Sequence, residues 1–196
     1  MSIILASASY IRATLLRNAG LNIKSHPASI DEEAIAQERK KMGTPPKEIA
    51  LWLARAKAQK VSRLFKNQHV IGVDQVLVQG KEFFEKPKNH AEALIQLGKL
   101  SAKQHTLFTS AVIFEGGNEL WSVTTTAMMS MHELQQEEIV EYLKRNPTVI
   151  HNLGSYNFEG EGIRFFKKVV GDYFSILGIP VLEIINFFRR EGQLVI

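Results

Sequence analysis

The residue of this chain most suited to chemistry is Asp74, a carboxylate inside a nearly unbroken apolar run over residues 70–78. The run is rich in β-branched residues and ends near Gly80, which predicts a buried strand, or two strands joined at Asp74 and Gln75. Removing a lone carboxylate from water costs roughly several kcal/mol unless a metal, a cation or hydrogen-bond donors meet it. We therefore expect Asp74 at an edge or cleft, held either by backbone donors or by a functional partner.

Two serines and an arginine near the N-terminus form a second candidate group. Ser7 and Ser9 lie in a polar turn between an apolar run at 3–6 and a helical pattern that contains Arg12. Either hydroxyl could cap the helix by accepting from a free backbone N–H group. The same free N–H groups, the positive end of the helix dipole and Arg12 could instead bind a phosphate group. The sequence leaves both interpretations open.

Three consecutive acids, Asp31, Glu32 and Glu33, open a polar segment. Acids at the start of a helix are usually solvated, and there they interact favourably with the helix dipole. If one or two of them faced Asp74, they could instead hold a hard divalent cation through carboxylate oxygens. A solvated helix start and a cation site are both compatible with this pattern.

Two lysines follow predicted elements that could bring them to Asp74. Lys57 falls near the apolar face of a helix predicted over residues 46–65, so it points toward the site or is exposed, as most lysines are. Lys86 follows a predicted hairpin turn at 79–81, which would return it toward the Asp74 end of the sheet. There it could neutralise phosphate charge or protect a sheet edge from aggregation.

The remaining patterns predict further strands and helices around these residues. The predicted strands are 21–25, 105–115, 120–131 and 163–170, and the predicted helices are 91–100, 133–144 and 181–190. A polar segment with three glycines at 151–162 predicts a long loop of the kind that often binds a ligand. Mixed strands and helices without a repeat or a linker predict a single α/β (α+β mixed) domain over residues 1–196.

Composition narrows the class of protein. The 196 residues are 45% hydrophobic, enough for a substantial core, and they include no cysteine, which excludes disulfides and thiol nucleophiles. No apolar run approaches the roughly 20 residues that span a bilayer, so we expect a soluble, cytoplasmic protein without a membrane partner. The net charge of +4 permits an anionic ligand such as a nucleotide. The basic clusters are short and lack interleaved aromatic residues, so we expect no nucleic-acid partner.

Several motifs, in order along nearly the whole chain, resemble the Maf family of nucleoside triphosphate pyrophosphatases. Residues 5–12 resemble the family's Leu-Ala-Ser-x-Ser-Pro-x-Arg start, and residues 72–75 resemble its Gly-Ala/Ser-Asp-Thr/Gln. The other segments that resemble family motifs are residues 30–32 (Ile-Asp-Glu), 53–58 (Leu-Ala-Arg-Ala-Lys-Ala), 85–87 (Glu-Lys-Pro), 171–173 (Gly-Asp-Tyr) and 178–180 (Gly-Ile-Pro).

Two branches of that family differ in motif and in preferred base. One combines Asp-Gln with Gly-Ser-Phe-Lys-x-Glu-Gly and prefers 7-methyl-GTP; the other combines Asp-Thr with Gly-Ala-Tyr-Gly-Ile-Gln-Gly and prefers dTTP and UTP. Gln75 and residues 154–160 resemble the first branch, although Ile11 stands where that branch has tryptophan. The resemblance assigns base specificity to Ile11, Gln75 and Glu159.

The resemblance also implies an activity and a set of roles. It implies a Maf/ITPase-like fold, with a central mixed sheet flanked by helices and a cleft between two lobes. It implies hydrolysis of a nucleoside triphosphate to a monophosphate and pyrophosphate, with Asp74 and Lys86 as catalytic residues. A Mg²⁺ or Mn²⁺ ion would be held by Asp74, Glu32 and Asp31. The implied substrate-binding residues are Ser7, Ser9, Arg12, Lys57, Gln75 and Glu159.

A function from a different class is also compatible with these motifs. The family has been linked to arrest of cell division, and the chain departs from family motifs at Tyr10, Ile11 and Asn152. The alternative is therefore a nucleotide-binding regulator of division and septum formation that has lost turnover. Family members are often homodimers, and the resemblance leaves that state open for this chain.

Overall fold

The computed structural model describes residues 2–194 as a mixed α/β fold with one seven-stranded sheet. The strands are β1 (Ile3–Leu5), β2 (Ile23–Ser25), β3 (Val70–Gln79), β4 (Glu82–Phe84), β5 (Gln104–Glu115), β6 (Asn118–Met131) and β7 (Phe166–Val170). The helices are α1 (Tyr10–Asn18), α2 (Glu32–Lys41), α3 (Pro46–Ser62), α4 (His90–Leu100), α5 (Gln136–Arg145), α6 (Tyr173–Ile176) and α7 (Val181–Arg190).

The order of strands in the sheet is β2-β1-β3-β5-β6-β7, and β4 pairs with β3 beside this path. β1 pairs in parallel with β2 and with β3, whereas β4 is antiparallel to β3 and β7 is antiparallel to β6. The sheet is therefore mixed, which confirms the predicted fold class. Within residues 2–194, no helix has the length and apolar character needed to cross a bilayer.

The chain divides into two compact units. Unit 1 comprises the chain up to Gln75, the segment Phe108–Thr125 and the chain from Asp172 onward. Unit 2 comprises Val76–Leu107 and Thr126–Gly171. Three of the four boundaries fall within β3, β5 and β6, so these strands contribute residues to both units; the fourth lies between β7 and α6.

In unit 1, alternate residues of β3 face two separate cores. Ile71 and Val73 are fully buried in a cluster with residues of α1 and α7, whereas Val70 packs in another cluster with Val61 of α3. This alternation follows from the two-residue period of a strand, and it explains why most residues of β3 are apolar on both faces. Even-numbered positions of β3, Asp74 among them, consequently face the side of the sheet on which α3 packs.

Every predicted strand and helix outside the glycine-rich region of unit 2 is present, with ends that differ by up to three residues, and the short helix α6 was not predicted. The predicted long loop at 151–162 instead contains short 3₁₀ helices at Pro147–His151, Leu153–Ser155 and Glu161–Phe165. The predicted strand at 163–170 begins only at Phe166. A Cβ on Gly162 would lie 2.5 Å from the carbonyl oxygen of Asn157, so the chain packs tightly on itself there and remains coiled up to Phe165.

Candidate active site

Asp74 lies on the face of β3 where α3 packs closely against the strand. Gly72 lies two residues before Asp74 and therefore faces the same side of the strand. A Cβ on Gly72 would lie 2.2 Å from the carbonyl oxygen of Ala54 and 2.7 Å from the Cβ atom of Ala58, so only glycine fits. Lys57 lies three residues after Ala54, and residues three or four apart are neighbours on a helix, so the Lys57 side chain adjoins the face of α3 that packs on β3. The packing therefore directs Lys57 along the strand toward Asp74.

Lys57 joins two carboxylates in what we call the carboxylate–lysine cluster, Glu32, Lys57 and Asp74. The Lys57 Nζ donates to Asp74 Oδ1 at 2.6 Å and lies 2.7 Å from Glu32 Oε2. The side chains of Lys57 and Asp74 are only 7% and 9% exposed, whereas that of Glu32 is 51% exposed. The sequence left open whether Lys57 would be exposed, and the structure buries it against Asp74.

Burial has the largest effect on the pKa values of Asp74 and Arg12. Desolvation raises the pKa of the Asp74 carboxyl above its ordinary value, while the cations Lys57 and Arg12 oppose that rise. Desolvation likewise lowers the pKa of the Arg12 guanidinium, and the negative charges of Asp74 and Glu32 counteract it. Two carboxylates and two cations thus influence one another within unit 1.

The N-terminal serines and Arg12 are tied into this part of unit 1 by hydrogen bonds. Ser9 is the N-cap of α1, and its hydroxyl accepts from the backbone N–H of Arg12 at 3.4 Å, which confirms the capping interpretation for Ser9. Arg12 Nη1 donates to the Ser7 hydroxyl at 3.4 Å and to the Val73 carbonyl at 3.3 Å. Its Nε donates to the Gly178 carbonyl at 2.8 Å. Within residues 2–194, these bonds engage Nε and Nη1 and leave Nη2 for another acceptor.

Gln75 faces the opposite side of β3 from Asp74, as adjacent strand residues must. Its Nε2 donates to the Thr109 hydroxyl at 2.9 Å, to the Ser175 carbonyl at 2.9 Å and to the Ile176 carbonyl at 3.2 Å. The Thr109 hydroxyl in turn donates to the Ser175 carbonyl at 2.8 Å. These bonds orient the Gln75 amide, with its nitrogen toward α6.

Sequence reasoning did not find Thr109 or Gly178 as parts of this region. Thr109 lies in an alternating strand pattern that carries no polar signal of its own, and it is 34 residues from Gln75. Gly178 was recognised only as part of a motif, whereas in the structure its carbonyl accepts from Arg12 and its φ is +94°. That left-handed conformation favours glycine and is a signal a sequence can carry.

The predicted metal ligands separate into two groups. Asp31 is the N-cap of α2, where its Oδ1 accepts from the backbone N–H of Ala34 at 2.9 Å. Glu32 and Asp74 instead direct oxygens at one cationic nitrogen, which is a donor set that fits a hard divalent cation completed by water and phosphate oxygens. Among residues 2–194 there is no group of three or more His, Asp or Glu side chains placed to hold a metal ion by themselves.

The remaining predicted site residues are Lys86, Glu159 and Ile11. Lys86 and Glu159 belong to unit 2, where both are exposed. Lys86 follows β4. When the Asn157 amide is oriented with its nitrogen toward Glu159, that nitrogen donates to the Glu159 carboxylate at 2.8 Å. Ile11 lies in unit 1, half-buried in the first turn of α1.

The fold and these contacts define a class: an α/β protein with a buried cluster of opposite charges beside a capped helix start. The family model described as Maf-like protein matches residues 2–191. The chain is 39% identical to the 7-methyl-GTP pyrophosphatase of Rhizobium etli over 98% of its length and 97% of that protein. It is 41% identical to the protein of the same name from Bartonella henselae, over 96% and 95%. The chain therefore belongs to the Maf family.

Two further comparisons complete the set of similar proteins. The chain is 38% identical to nucleoside triphosphate pyrophosphatase 1 of Jannaschia sp., over 97% of either chain. Among solved structures, the Ham1 protein of Staphylococcus aureus aligns with a TM-score of 0.42 and 11% identity, over 67% of this chain and 72% of that one.

Proposed function

We propose that the protein is a nucleoside triphosphate pyrophosphatase, which hydrolyses the bond between the α and β phosphates and releases a nucleoside monophosphate and pyrophosphate. The observation that carries the proposal is the carboxylate–lysine cluster, in a chain that belongs to the Maf family. Proteins named for this activity, which align with nearly the whole chain, support it.

Asp74 is the base in this proposal. It takes one proton from the attacking water as the water oxygen bonds to phosphorus, and the bond from that phosphorus to the bridging oxygen breaks as pyrophosphate leaves. A base is most effective when its pKa lies near the operating pH, and burial moves the pKa of Asp74 upward in that direction. Lys57 holds the carboxylate at 2.6 Å and thereby fixes its orientation before the substrate binds.

The positive groups around Asp74 would bind the phosphate chain. Arg12 has one guanidinium nitrogen that its bonds to Ser7, Val73 and Gly178 do not use, and those bonds hold the side chain in place. A prepositioned guanidinium stabilises charge that develops on phosphate oxygens at little cost in ordering. Lys86 and Glu159, in unit 2, are proposed as a phosphate contact and a contact to the base.

A divalent cation, Mg²⁺ or Mn²⁺, belongs to the proposal because the charges within the cluster and Arg12 already balance, whereas a triphosphate adds several negative charges. Glu32 and Asp74 would hold the ion, and it would supply charge neutralisation at the phosphates. Asp31, as the cap of α2, would act by holding the start of the helix that carries Glu32.

Base preference is the finer part of the proposal. The chain resembles the branch that prefers 7-methyl-GTP through Gln75 and residues 154–160, and the relatives from Rhizobium etli and Bartonella henselae are named for that substrate. Gln75 has its amide nitrogen committed to Thr109, Ser175 and Ile176. Its carbonyl oxygen is therefore the end of the side chain that could accept from a base.

The experiment is pyrophosphate release from a panel of nucleoside triphosphates that includes 7-methyl-GTP, with Mg²⁺ or with Mn²⁺. We expect Asp74→Asn to retain the fold and to lose about 10²- to 10⁴-fold of the wild-type rate, the usual contribution of a positioned general base. The matched control is Glu48→Gln, an exposed acid in the first turn of α3, which should keep the wild-type rate.

Two results would contradict the proposal. If Asp74→Asn turned over every nucleotide at the wild-type rate, Asp74 would not be the base; full activity in excess EDTA would exclude an obligatory divalent cation. Nucleotide binding without any pyrophosphate release would instead favour the regulator of cell division.

A further inference from the structure

The Lys57 ammonium occupies the position between two carboxylates in which a metal cation is expected. Its nitrogen is 2.6 Å from Asp74 Oδ1 and 2.7 Å from Glu32 Oε2, so it contacts one oxygen from β3 and one from α2. Both oxygens belong to the donor type that Mg²⁺ and Mn²⁺ prefer. The lysine ammonium and a hard divalent cation would therefore bind the same two carboxylate oxygens.

We propose that Lys57 and a divalent cation compete for Asp74 Oδ1 and Glu32 Oε2. Lys57 is then a positioning residue: it holds the two carboxylates together until the cation takes its place. The proposal rests on the proposed function only for the source of the cation, which would arrive with a triphosphate.

Charge is the first reason for competition. Glu32 and Asp74 contribute two negative charges, and Lys57 and Arg12 contribute two positive charges that influence Asp74. A divalent cation added to this balanced group would leave a net positive charge in a buried region, which is unfavourable unless the ammonium withdraws or phosphate charge enters too. Binding of the cation alone is consequently weak, and binding of the cation with a triphosphate is strong.

Geometry is the second reason. A lysine ammonium is a compact charge on a flexible four-carbon chain, so it can leave the carboxylates without displacing α3, whose backbone is fixed against β3 at Gly72. Glu32 is half-exposed, so the cluster has a side that is accessible to ions from solvent. Phosphate oxygens are the natural new partners for the released ammonium.

The test measures Mn²⁺ binding to the full chain without any nucleotide, from the electron paramagnetic resonance signal of free Mn²⁺. Lys57→Met removes the competing ammonium and should bind Mn²⁺ about tenfold or more tightly than the wild type. The matched control is Lys47→Met, a change of the same kind at an exposed position in the first turn of α3, which should leave the affinity unchanged.

Two more variants test whether a gain in Mn²⁺ affinity arises at the carboxylate–lysine cluster. Lys57→Met combined with Asp74→Asn should lose the gain, because one of the two oxygen donors becomes a neutral amide. Lys57→Arg keeps a positive charge on a side chain of similar length and should show no gain. If circular dichroism shows Lys57→Met to be folded and its affinity equals that of the wild type, the proposal is wrong.

A measurement on the unmodified protein covers the case in which Lys57→Met does not fold. The ¹⁵N resonance of the Lys57 ammonium should shift when Mg²⁺ saturates the wild type, because the ammonium leaves both carboxylates. An unchanged resonance at saturation would overturn the proposal. A protein that hydrolyses no nucleotide but shows the gain in Mn²⁺ affinity would refute the proposed function and leave this competition standing.

Discussion

Unit 1 and unit 2 each bury a pair of titratable side chains, and they do so in opposite ways. In unit 1, Lys57 and Asp74 are buried as a hydrogen-bonded ion pair. In unit 2, His105 Nε2 and the Tyr156 hydroxyl are joined at 2.9 Å, and the ring of Phe166 packs on both. Burial lowers the pKa of His105 to about 4 and raises that of Tyr156, so this pair is neutral at pH 7.

The two pairs differ in the electrostatic cost of their burial. A neutral hydrogen bond in a core satisfies two polar groups with little electrostatic cost, and it needs no other explanation than packing. A buried ion pair has a desolvation cost that packing alone does not require, and apolar side chains of similar volume are often as stable or more so. Under the proposed function, this cost has a role, because Asp74 acts as the base and Lys57 orients its carboxylate.

The largest effect is expected when the ion pair is broken on one side only. Lys57→Met leaves the Asp74 carboxylate buried without its main cation and should lower the free energy of unfolding by about 3–5 kcal/mol. Lys57→Met with Asp74→Leu removes both charges and should recover most of that loss, since Glu32 is half-exposed and stays hydrated. Urea denaturation without divalent cations measures both. A double variant as unstable as the single one would show that the cost comes from packing.

The second largest effect is expected on the pH dependence of the free energy of unfolding, and it comes from His105 in the neutral pair. A histidine with a pKa of about 4 in the folded state and its ordinary 6.5 when unfolded binds fewer protons folded than unfolded between those values. Its contribution is fully present above pH 6.5 and is lost as the pH falls to 4, by about 3 kcal/mol in total. Unfolding measured from pH 7 to pH 4 should therefore show a flatter slope in His105→Phe than in the wild type.

Tyr156→Phe is the matched variant for that measurement. It removes the hydroxyl that contacts His105 Nε2 but leaves the imidazole buried, and burial is the cause of the lowered pKa. Its slope should therefore equal that of the wild type, although its stability at pH 7 is lower. If Tyr156→Phe flattens the slope as much as His105→Phe does, the hydrogen bond, and not burial, controls the titration.

Some features of this fold could be predicted from the sequence, and others could not. The β3 strand, the Ser9 cap and the position of Lys57 on the apolar face of α3 follow from local period and residue type, so a sequence can indicate them. The 3₁₀ helix over Glu161–Phe165 was not predicted, because the apolar residues that follow Gly162 indicated a strand over 163–170. Tertiary packing decides there: the Phe165 ring contacts Tyr142 edge to face, with centroids 4.6 Å apart.

Contacts between distant segments were the least predictable. His105 and Tyr156 are 51 residues apart, and neither stands out in its own strand or loop. Gln75 and Thr109 are joined across 34 residues, and the Gln75–Ser175 contact spans 100. Such pairs depend on the order of strands in the sheet, which local patterns do not specify. A shared motif can assign a role to Gln75, but it cannot say which atoms Gln75 contacts.

The smallest effect is expected at Thr109, a neutral hydrogen-bond site that belongs to the charged region of unit 1. Thr109→Val keeps the shape of the side chain but removes the hydroxyl that donates to the Ser175 carbonyl and accepts from Gln75 Nε2. The free energy of unfolding should fall by about 1–2 kcal/mol, the usual cost when a buried hydrogen-bond partner is lost. Thermal unfolding, compared at a fixed pH, measures it.

Thr109→Ser is the control, because it keeps the hydroxyl and loses one methyl group. If the hydrogen bonds of the Thr109 hydroxyl are needed to orient Gln75, Thr109→Ser retains the rate of pyrophosphate release and the base preference of the wild type. Thr109→Val then loosens the Gln75 amide and reduces both the rate and the base preference. Equal behaviour of the two variants would mean that Gln75 is held well enough by the Ser175 and Ile176 carbonyls alone. Neutral hydrogen bonds beside the ion pair would then serve packing, as they do in unit 2.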